Sequence, residues 1–212
     1  MADATRKILI LFAHPNQGMS EVCVPLAKAA REVDGVTLVD LYALYPDQNI
    51  DVDAEQARLT AHDVLIFLHP LYWYSTPAIL KEWQDLVLEY GFAYGKNGNG
   101  LHGKLFMSAL TAGGREEVYS RKGYNHFSIR QFLYPLEQMA TLCGMRYLPP
   151  FAVFGARSAK EAGVIPEIIT EWQRVLGALR DDTLPIDRAQ KMDFLNDDLE
   201  HLLEGGRRWK LF

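Results

Sequence analysis

The chain has 212 residues, of which 49% are hydrophobic and 23% charged, and this balance excludes a disordered protein and favours one globular domain with a sizeable core. The longest apolar runs, such as residues 8–13, are too short to span a bilayer as a helix. The formal net charge of −5 argues against a broad nucleic-acid-binding surface, so no nucleic-acid partner is expected.

The first 61 residues alternate apolar runs with helical patterns. Continuous apolar runs predict buried strands over residues 7–13 and 36–42. Ser20 is a candidate cap for the helix between these strands, which is predicted to continue to about Arg31. A second, shorter helix is predicted over residues 54–61. This alternation indicates an α/β fold with a parallel sheet.

A third buried strand, predicted over residues 63–68, is followed by a run of aromatic residues that includes Tyr72, Trp73 and Tyr74. The run therefore lies at the carboxyl end of a strand, which is where open α/β sheets bind their ligands. Ring faces and backbone amides suit a flat aromatic ligand. The alternative is that the three rings only pack a loop.

The segment after the aromatic run continues the pattern. Pro77 is predicted to begin a helix after a cap at Ser75 or Thr76. A glycine-rich loop over residues 91–103 leads to a buried strand predicted over residues 104–111. Part of that loop matches the dinucleotide motif G-x-G-x-x-G by letter, but it precedes a strand and begins no helix, so we do not interpret it as a nucleotide site.

The last third completes the sheet. Residues 127–143 are predicted to be helical with a kink or a break at Pro135, and the final strand, over residues 146–154, contains two prolines. The last core helix is predicted over residues 166–180. Five strands with intervening helices predict a flavodoxin-like doubly wound parallel sheet of order 2-1-3-4-5. The predicted divisions are a disordered N-terminus (1–6), a flavodoxin-like domain (7–182) that contains the ligand site, and a helical tail (183–212) that serves as a dimer arm or a packing appendage.

Two other loops leave the same edge of the predicted sheet. Residues 13–20 precede a helix, whose unpaired backbone amides suit a phosphate, and His14 and Ser20 can add donors. Residues 111–115 contain two glycines, which allow the backbone to approach a ligand closely. Each loop alone could be an ordinary cap or turn. Together with the aromatic run they predict a phosphate site, a flat aromatic site and a backbone wall.

Several motifs of other functional classes are absent from the sequence. There is no Walker loop, no G-x-S-x-G elbow and no H-E-x-x-H. Cys23 and Cys143 lack metal-site spacing and indicate reduced structural thiols, so no metal site is predicted. The first residues have no apolar signal core, and we therefore expect a cytoplasmic protein, with peripheral attachment to the inner membrane through a protein partner as an open alternative.

Several longer motifs carry a family resemblance. They are ILILFAHP (8–15), LYALYPDQNIDVDAEQ (41–56), HPLYWYSTPAILKEWQD (69–85), GFAYG (91–95), LHGK (101–104), TAGG (111–114) and CGMRYLPPFAV (143–153). Over residues 7–180 the chain resembles the NAD(P)H:quinone oxidoreductase family of flavodoxin-like flavoproteins. Within it, the chain is most similar to the ancillary subunits of glutathione-regulated potassium-efflux systems, the KefF/KefG type.

The resemblance implies FMN as cofactor, with FAD as the alternative held by larger members. The positions that match the family's phosphate and ribityl contacts are His14, Ser20, Glu21, Val22 and Cys23. The positions that match its isoalloxazine contacts are Pro70, Leu71, Tyr72, Trp73, Tyr74, Thr111, Ala112, Gly113 and Gly114. The chain departs from the family at Cys23, where asparagine is common.

The resemblance also implies catalytic positions. Tyr119 matches a tyrosine that steadies charge on the flavin and the quinone. The family's histidine position falls on Asn125, and His126 follows it by one residue. Tyr124 or Phe127 could shape the wall of the substrate site.

The function implied is two-electron, ping-pong hydride transfer from NAD(P)H through FMN to a quinone, by a homodimer. The alternative is a regulatory subunit that binds the cytosolic domain of a potassium-efflux antiporter, with or without turnover. A flavodoxin-like electron carrier is a third reading. The sequence does not choose between NADH and NADPH.

Overall fold

The computed structural model describes residues 5–203, which form a parallel sheet between two layers of helices. The strands run in the order β2-β1-β3-β4-β5, with β6 also beside β4, which confirms the predicted order. Their bounds are β1 (Ile8–Phe12), β2 (Val36–Asp40), β3 (Val64–Pro70), β4 (Leu105–Thr111), β5 (Arg146–Tyr147) and β6 (Phe151–Val153). The predicted fifth strand is two short pieces because Pro149 and Pro150, which have no N–H to donate to a ladder, separate them.

Nine helices are described between residues 5 and 203. They are α1 (Cys23–Arg31), α2 (Leu41–Leu44), α3 (Val52–Thr60), α4 (Ala78–Val87), α5 (Ile129–Phe132), α6 (Tyr134–Leu142), α7 (Ile165–Arg180), α8 (Ile186–Ala189) and α9 (Leu199–Leu203). Helices α1, α7, α8 and α9 cover one face of the sheet, and α2 to α6 cover the other. Strands β1, β3 and β4 are largely apolar and are buried throughout, because helices cover both of their sides.

Three predicted boundaries are corrected by the structure. Helix α1 begins two residues later than a cap at Ser20 would place it, because Ser20 ends a turn of 3-10 helix over residues 17–19. Strand β2 ends at Asp40, whose side chain accepts a hydrogen bond from the Ala43 N–H and caps α2. Pro77 is itself the N-cap of α4, and neither preceding hydroxyl caps that helix.

The predicted break in the helical segment 127–143 is confirmed, and its cause is local. Leu133 separates α5 from α6, and Pro135 lies in the first turn of α6, where its missing N–H needs no partner. Helix α5 begins at a capping box, in which the Ser128 hydroxyl and the Gln131 side chain each bond the other's backbone N–H.

Both ends of the described chain make specific contacts. The Arg6 N–H donates to the Arg180 carbonyl at 2.7 Å, so ordered contacts begin inside the segment predicted to be disordered. The Asn196 side-chain amide pairs with both backbone groups of Ala152, at 3.0 and 2.9 Å, and thus covers the open edge of β6. The described tail also buries the apolar side chains of Leu184, Ile186, Ala189, Leu195, Leu199 and Leu202. The glycine- and arginine-containing end of the predicted tail, residues 204–212, lies outside the described residues.

A buried carboxylate links three elements on the α3–α4 face. Glu55 is fully buried, and its oxygens accept hydrogen bonds from the Tyr45 hydroxyl at 2.6 Å and from the Trp83 indole N–H at 2.9 Å. Arg58, one turn further along α3, forms an ion pair with the same carboxylate. Every group in this cluster has a partner, so the cluster joins α3 to α4 and to the loop after α2.

No helix within residues 5–203 combines the length and the apolar composition needed to cross a membrane.

Candidate active site

Three loops meet at the carboxyl edge of the sheet, as the sequence predicts. The Leu71 N–H donates to the Thr111 carbonyl at 2.8 Å, which joins the aromatic loop to the glycine loop. The Cys23 thiol and the Thr111 hydroxyl are 3.1 Å apart, which joins the glycine loop to the start of α1. The rings of His14 and Tyr72 make an edge contact with centroids 5.8 Å apart, which joins the loop before α1 to the aromatic loop. The loops therefore form one continuous surface.

The start of α1 presents a row of backbone donors. The Ser20 hydroxyl oxygen accepts from the Val24 N–H at 3.1 Å, so its own hydrogen is free to point outward. The N–H groups of Glu21, Val22 and Cys23 have no acceptor among the described residues. Because these amides lie at the positive end of the helix dipole, the arrangement suits a phosphate group.

His14 adds a neutral donor beside this row. Its side chain is 5% exposed, and its Nδ1 accepts a hydrogen bond from the Asn16 N–H at 3.2 Å. Burial lowers the pKa of His14, which favours the neutral ring. With Nδ1 acting as an acceptor, the ring proton belongs on Nε2, which can then donate to an anion.

Cys23 is a core residue whose side chain does not face the phosphate position. It is 1% exposed, and burial raises its pKa to about 12, so the thiol stays protonated. Its contact with Thr111 holds α1 against the end of β4. The asparagine common at this position in the family would add a side-chain donor, and here the backbone N–H of Cys23 is the group that remains for a ligand.

The aromatic run folds into a tight turn with an unusual backbone. Tyr72 and Ser75 exchange two backbone hydrogen bonds, at 3.1 and 3.0 Å, and the residues between them have positive φ angles of 48° for Trp73 and 63° for Tyr74. Two consecutive positive φ angles in a two-residue turn are typical of type I′, which usually contains glycine or asparagine. Large side chains in this conformation cost about 1–3 kcal/mol each and tend to cluster at functional sites.

Replacing Trp73 separates the backbone strain from the ring. Trp73 is 93% exposed, so its removal gives up little burial. Because glycine accepts a positive φ and alanine does not, we expect Trp73→Gly to be more stable than Trp73→Ala by about 1 kcal/mol. Urea unfolding of both variants measures this difference, and equal stabilities would show that residue 73 is not strained.

The two glycines of the third loop lie beneath side chains from other segments. A Cβ atom added at Gly114 would lie 2.9 Å from Val118 Cγ2 and 3.4 Å from the Tyr119 hydroxyl oxygen. A Cβ added at Gly113 would lie 3.3 Å from Nε of Arg157. Gly113 and Gly114 therefore form a backbone surface without side chains of its own, with Arg157 next to Gly113 and Tyr119 next to Gly114.

Arg157 was not predicted as a site residue. The loop after β6 continues the sheet pairing, because the Gly155 N–H donates to the Gly114 carbonyl at 2.8 Å and the Ala156 N–H donates to the Ala112 carbonyl at 3.0 Å. This pairing brings Arg157 against Gly113 from more than 40 residues away along the chain. The only sequence signal was a basic residue just past the carboxyl end of the last strand.

The other predicted catalytic positions lie beside the aromatic turn. The Tyr74 hydroxyl donates to Asn125 Oδ1 at 3.1 Å, and the Tyr74 ring stacks on Phe132 with centroids 4.8 Å apart. A cavity of about 520 Å³ opens here, a volume that suits a small aromatic molecule. It is lined by Tyr74, Tyr124, Asn125, His126, Phe127 and Phe132. Asn125 and His126 thus face this cavity, whereas Tyr119 lies over Gly114.

His69, which opens the aromatic segment, has a structural position. It is fully buried, and its Nδ1 lies 3.0 Å from the carbonyl oxygen of Pro70. Burial lowers the pKa of His69 to about 4. It is therefore neutral at physiological pH. No cluster of three or more histidine, cysteine or acidic side chains that could hold a metal ion occurs in the part of the chain that the structure describes.

Comparison with known proteins places the chain in a flavodoxin-like family. A family model described as "Flavodoxin-like fold" matches residues 6–176. The KefG ancillary protein of a glutathione-regulated potassium-efflux system from Serratia proteamaculans is 42% identical over 179 residues, which cover 84% of this chain and 95% of that protein. General stress protein 14 from Treponema denticola, solved in complex with FMN, is 36% identical, with a TM-score of 0.77 and coverage of 82% of this chain and 99% of that one. A structure described as an NADPH-quinone reductase from P. pentosaceus is 29% identical, with a TM-score of 0.72 and coverage of 80% and 96%.

Proposed function

The chain belongs to the flavodoxin-like family of NAD(P)H:quinone reductases, and on that premise we propose that it binds FMN and transfers a hydride from NAD(P)H to a quinone. The observation that carries the proposal is the joining of three loops at one sheet edge: phosphate donors, a bare glycine backbone and an aromatic turn. A general stress protein 14 with the same fold is seen with FMN, which supports FMN over the larger FAD.

The residues present fit the parts of FMN. The Ser20 hydroxyl, the free amides of residues 21–23 and the Nε2–H of His14 would hold the phosphate. The aromatic turn would hold one edge of the ring system, and Gly113 and Gly114 would receive the other edge on their exposed backbone. When bound, FMN supplies the ability to accept a hydride from one substrate and pass it to another.

The protein's own groups then select and orient the substrates. The rings around the 520 Å³ cavity, above all Tyr74 and Phe132, can hold a nicotinamide and a quinone in turn against the flavin and exclude water. The Tyr119 hydroxyl, which is close to Gly114, would donate a hydrogen bond where negative charge develops. Because the nicotinamide and the quinone would use the same position, the first must leave before the second binds, and this favours a ping-pong order.

The test of the proposal is FMN-dependent turnover. The purified protein, reconstituted with FMN, is expected to oxidise NADH or NADPH only when a simple quinone is present. Tyr119→Phe keeps the ring and removes the hydroxyl, so we expect it to retain FMN and to lower kcat by roughly ten- to a hundredfold. A protein that takes up FMN but shows no quinone-dependent oxidation of either nucleotide would contradict the enzyme proposal.

His14 gives a prediction about pH. Since its Nδ1 already accepts from Asn16, His14 is expected to contact the phosphate as a neutral donor. His14→Gln keeps a donor near the position of Nε2 and should retain most of the FMN affinity, whereas His14→Leu should lose roughly tenfold or more. The lowered pKa means that the ring charges only below its usual range, so the ratio of wild-type to His14→Gln affinity should stay flat from about pH 6.5 to 8.5.

Fluorescence titration with FMN at several pH values measures that ratio. The phosphate of FMN has a second ionisation at about pH 6. It affects both affinities equally, because both proteins bind the same ligand, and so it cancels in the ratio. If the wild type gained tenfold over His14→Gln as the pH fell, the charged imidazolium would be the phosphate ligand and the assigned tautomer would be wrong.

A second role is supported by the KefG relative, which is 42% identical over most of its length. We propose that this chain also associates with the cytosolic part of a potassium-efflux antiporter, which would place a cytoplasmic protein at the inner membrane. Co-sedimentation with vesicles that contain such an antiporter is expected, and vesicles without it are the control. Equal binding to both vesicle types would contradict this role.

We also propose a homodimer. Trp73 is 93% exposed and Tyr124 is 85% exposed, and both lie at the aromatic turn or its cavity. Large exposed aromatic side chains next to a binding cavity are typical of surfaces that a second subunit covers. Sedimentation velocity is expected to give twice the mass of the chain, and a monomer at micromolar concentration would contradict it.

A further inference from the structure

Arg157 occupies a position beside the glycine loop that only the fold reveals. Its Nε lies 3.3 Å, and its Cγ and Cδ 3.8 Å, from the place where a Cβ of Gly113 would be. The two backbone hydrogen bonds between residues 155–156 and the glycine loop fix the segment that carries it. Arg157 thus lies next to Gly113, while Tyr119 lies next to Gly114.

The guanidinium of Arg157 has no ionic partner within residues 5–203. The six ion pairs found there involve other residues, and no carboxylate oxygen lies within 4.0 Å of Arg157. Arg157 is exposed, and its Nε, Cδ and Cγ lie along the backbone of Gly113. The glycine loop is therefore next to a positive charge that no carboxylate of the described residues compensates.

Two of the three positions expected from the family to steady charge lie at the cavity and not at the glycine loop. Asn125 accepts a hydrogen bond from the Tyr74 hydroxyl, and His126 lines the cavity beside it. Tyr119 remains near Gly114, where its hydroxyl can offer a hydrogen bond but not the positive charge of a guanidinium. Arg157, which the structure places against Gly113, can supply a full positive charge to an anion there.

We propose that Arg157 contacts the bound flavin and stabilises its reduced, anionic form. This inference rests on the proposed function. A hydride brings two electrons and one proton from NAD(P)H to the oxidised flavin, the nicotinamide leaves as the oxidised nucleotide, and one negative charge remains on the ring system. A guanidinium near the backbone wall attracts that charge and donates a hydrogen bond to it, so the reduced form gains more than the oxidised form.

The test measures the reduction potential of bound FMN against a reference dye. In Arg157→Gln the ratio of reduced to oxidised flavin at a fixed potential is expected to fall about tenfold, which corresponds to about 30 mV for a two-electron couple. Arg157→Lys keeps the charge and should recover most of the ratio. Lys160→Gln removes an exposed charge from the same loop and should leave the ratio within about twofold, because solvent screens distant charges.

The affinity for oxidised FMN separates this role from a structural one. It should change by less than about threefold in Arg157→Gln, because the proposed contact acts on the reduced form. An unchanged potential in Arg157→Gln with FMN bound, or an equal change in Lys160→Gln, would overturn the assignment and leave the proposed function standing. A wild-type protein that binds no FMN would overturn both. A change confined to KM for NADPH would instead assign Arg157 to the nucleotide and also overturn the inference.

Discussion

Replacing Gly114 with valine is expected to lower the affinity for FMN by roughly ten- to a hundredfold while the protein still folds. The new Cβ would lie 2.9 Å from Val118 and 3.3 Å from the nearest Tyr119 ring carbon, so both side chains must move. Overpacking of this kind costs about 1–3 kcal/mol, and here the displaced groups are those that border the proposed flavin position. Fluorescence titration with FMN measures the loss, and circular dichroism checks the fold.

Gly177 provides the matched control. It lies within α7, and an added Cβ would meet nothing within 4 Å. Gly177→Ala should bind FMN as the wild type does and gain about 0.5–1 kcal/mol of stability, because alanine is the better helix former. Normal FMN binding by a folded Gly114→Val protein would show that the flavin does not use the glycine wall.

Replacing Glu55 with alanine is expected to lower the free energy of unfolding by about 3 kcal/mol or more. The change leaves the buried indole N–H of Trp83 and the Tyr45 hydroxyl without their acceptor, and it opens a cavity. Removing one partner from a buried charged network lowers the free energy of unfolding by a similar amount. Urea unfolding monitored by tryptophan fluorescence measures the difference.

Asp85→Ala is the control for this substitution. Asp85 pairs with Lys81 one turn earlier on α4, but both side chains are more than half exposed. A solvent-exposed pair contributes about 0–1 kcal/mol, so this variant should unfold close to the wild type. Equal, small effects of the two substitutions would mean that the buried cluster does not hold α3 and α4 together.

The sheet and the three loops could be predicted because their signals are local. The apolar runs around residues 8–12 and 64–70 are buried on both faces, so their composition alone marks them as central strands. Prolines mark the break before α6 and the division of the last strand. The strand order then follows from right-handed crossovers, and the order brings the loops together.

The features that were missed depend on contacts that are distant in sequence or on rare backbone conformations. Nothing in Tyr72–Ser75 resembles a glycine- or asparagine-containing turn, so the left-handed backbone at Trp73 was not expected. Ser20 has the sequence features of an ordinary helix cap. Because it ends the 3-10 turn that precedes it, α1 begins further along the chain than predicted. Arg157 reaches Gly113 through pairing of two loops, and Asn196 covers β6 from the tail. Such long-range partners have no local pattern.

The measurement that tests the central claim most directly is an anaerobic titration of the FMN-reconstituted protein followed by its absorbance spectrum. If the protein transfers a hydride through FMN, stoichiometric NADH or NADPH will bleach the flavin absorbance bands, and one equivalent of a simple quinone will restore them. The chain would then carry out both halves of the hydride transfer at the site formed by the three loops. A protein that takes up no FMN, or whose flavin is not bleached by either nucleotide, would contradict the account.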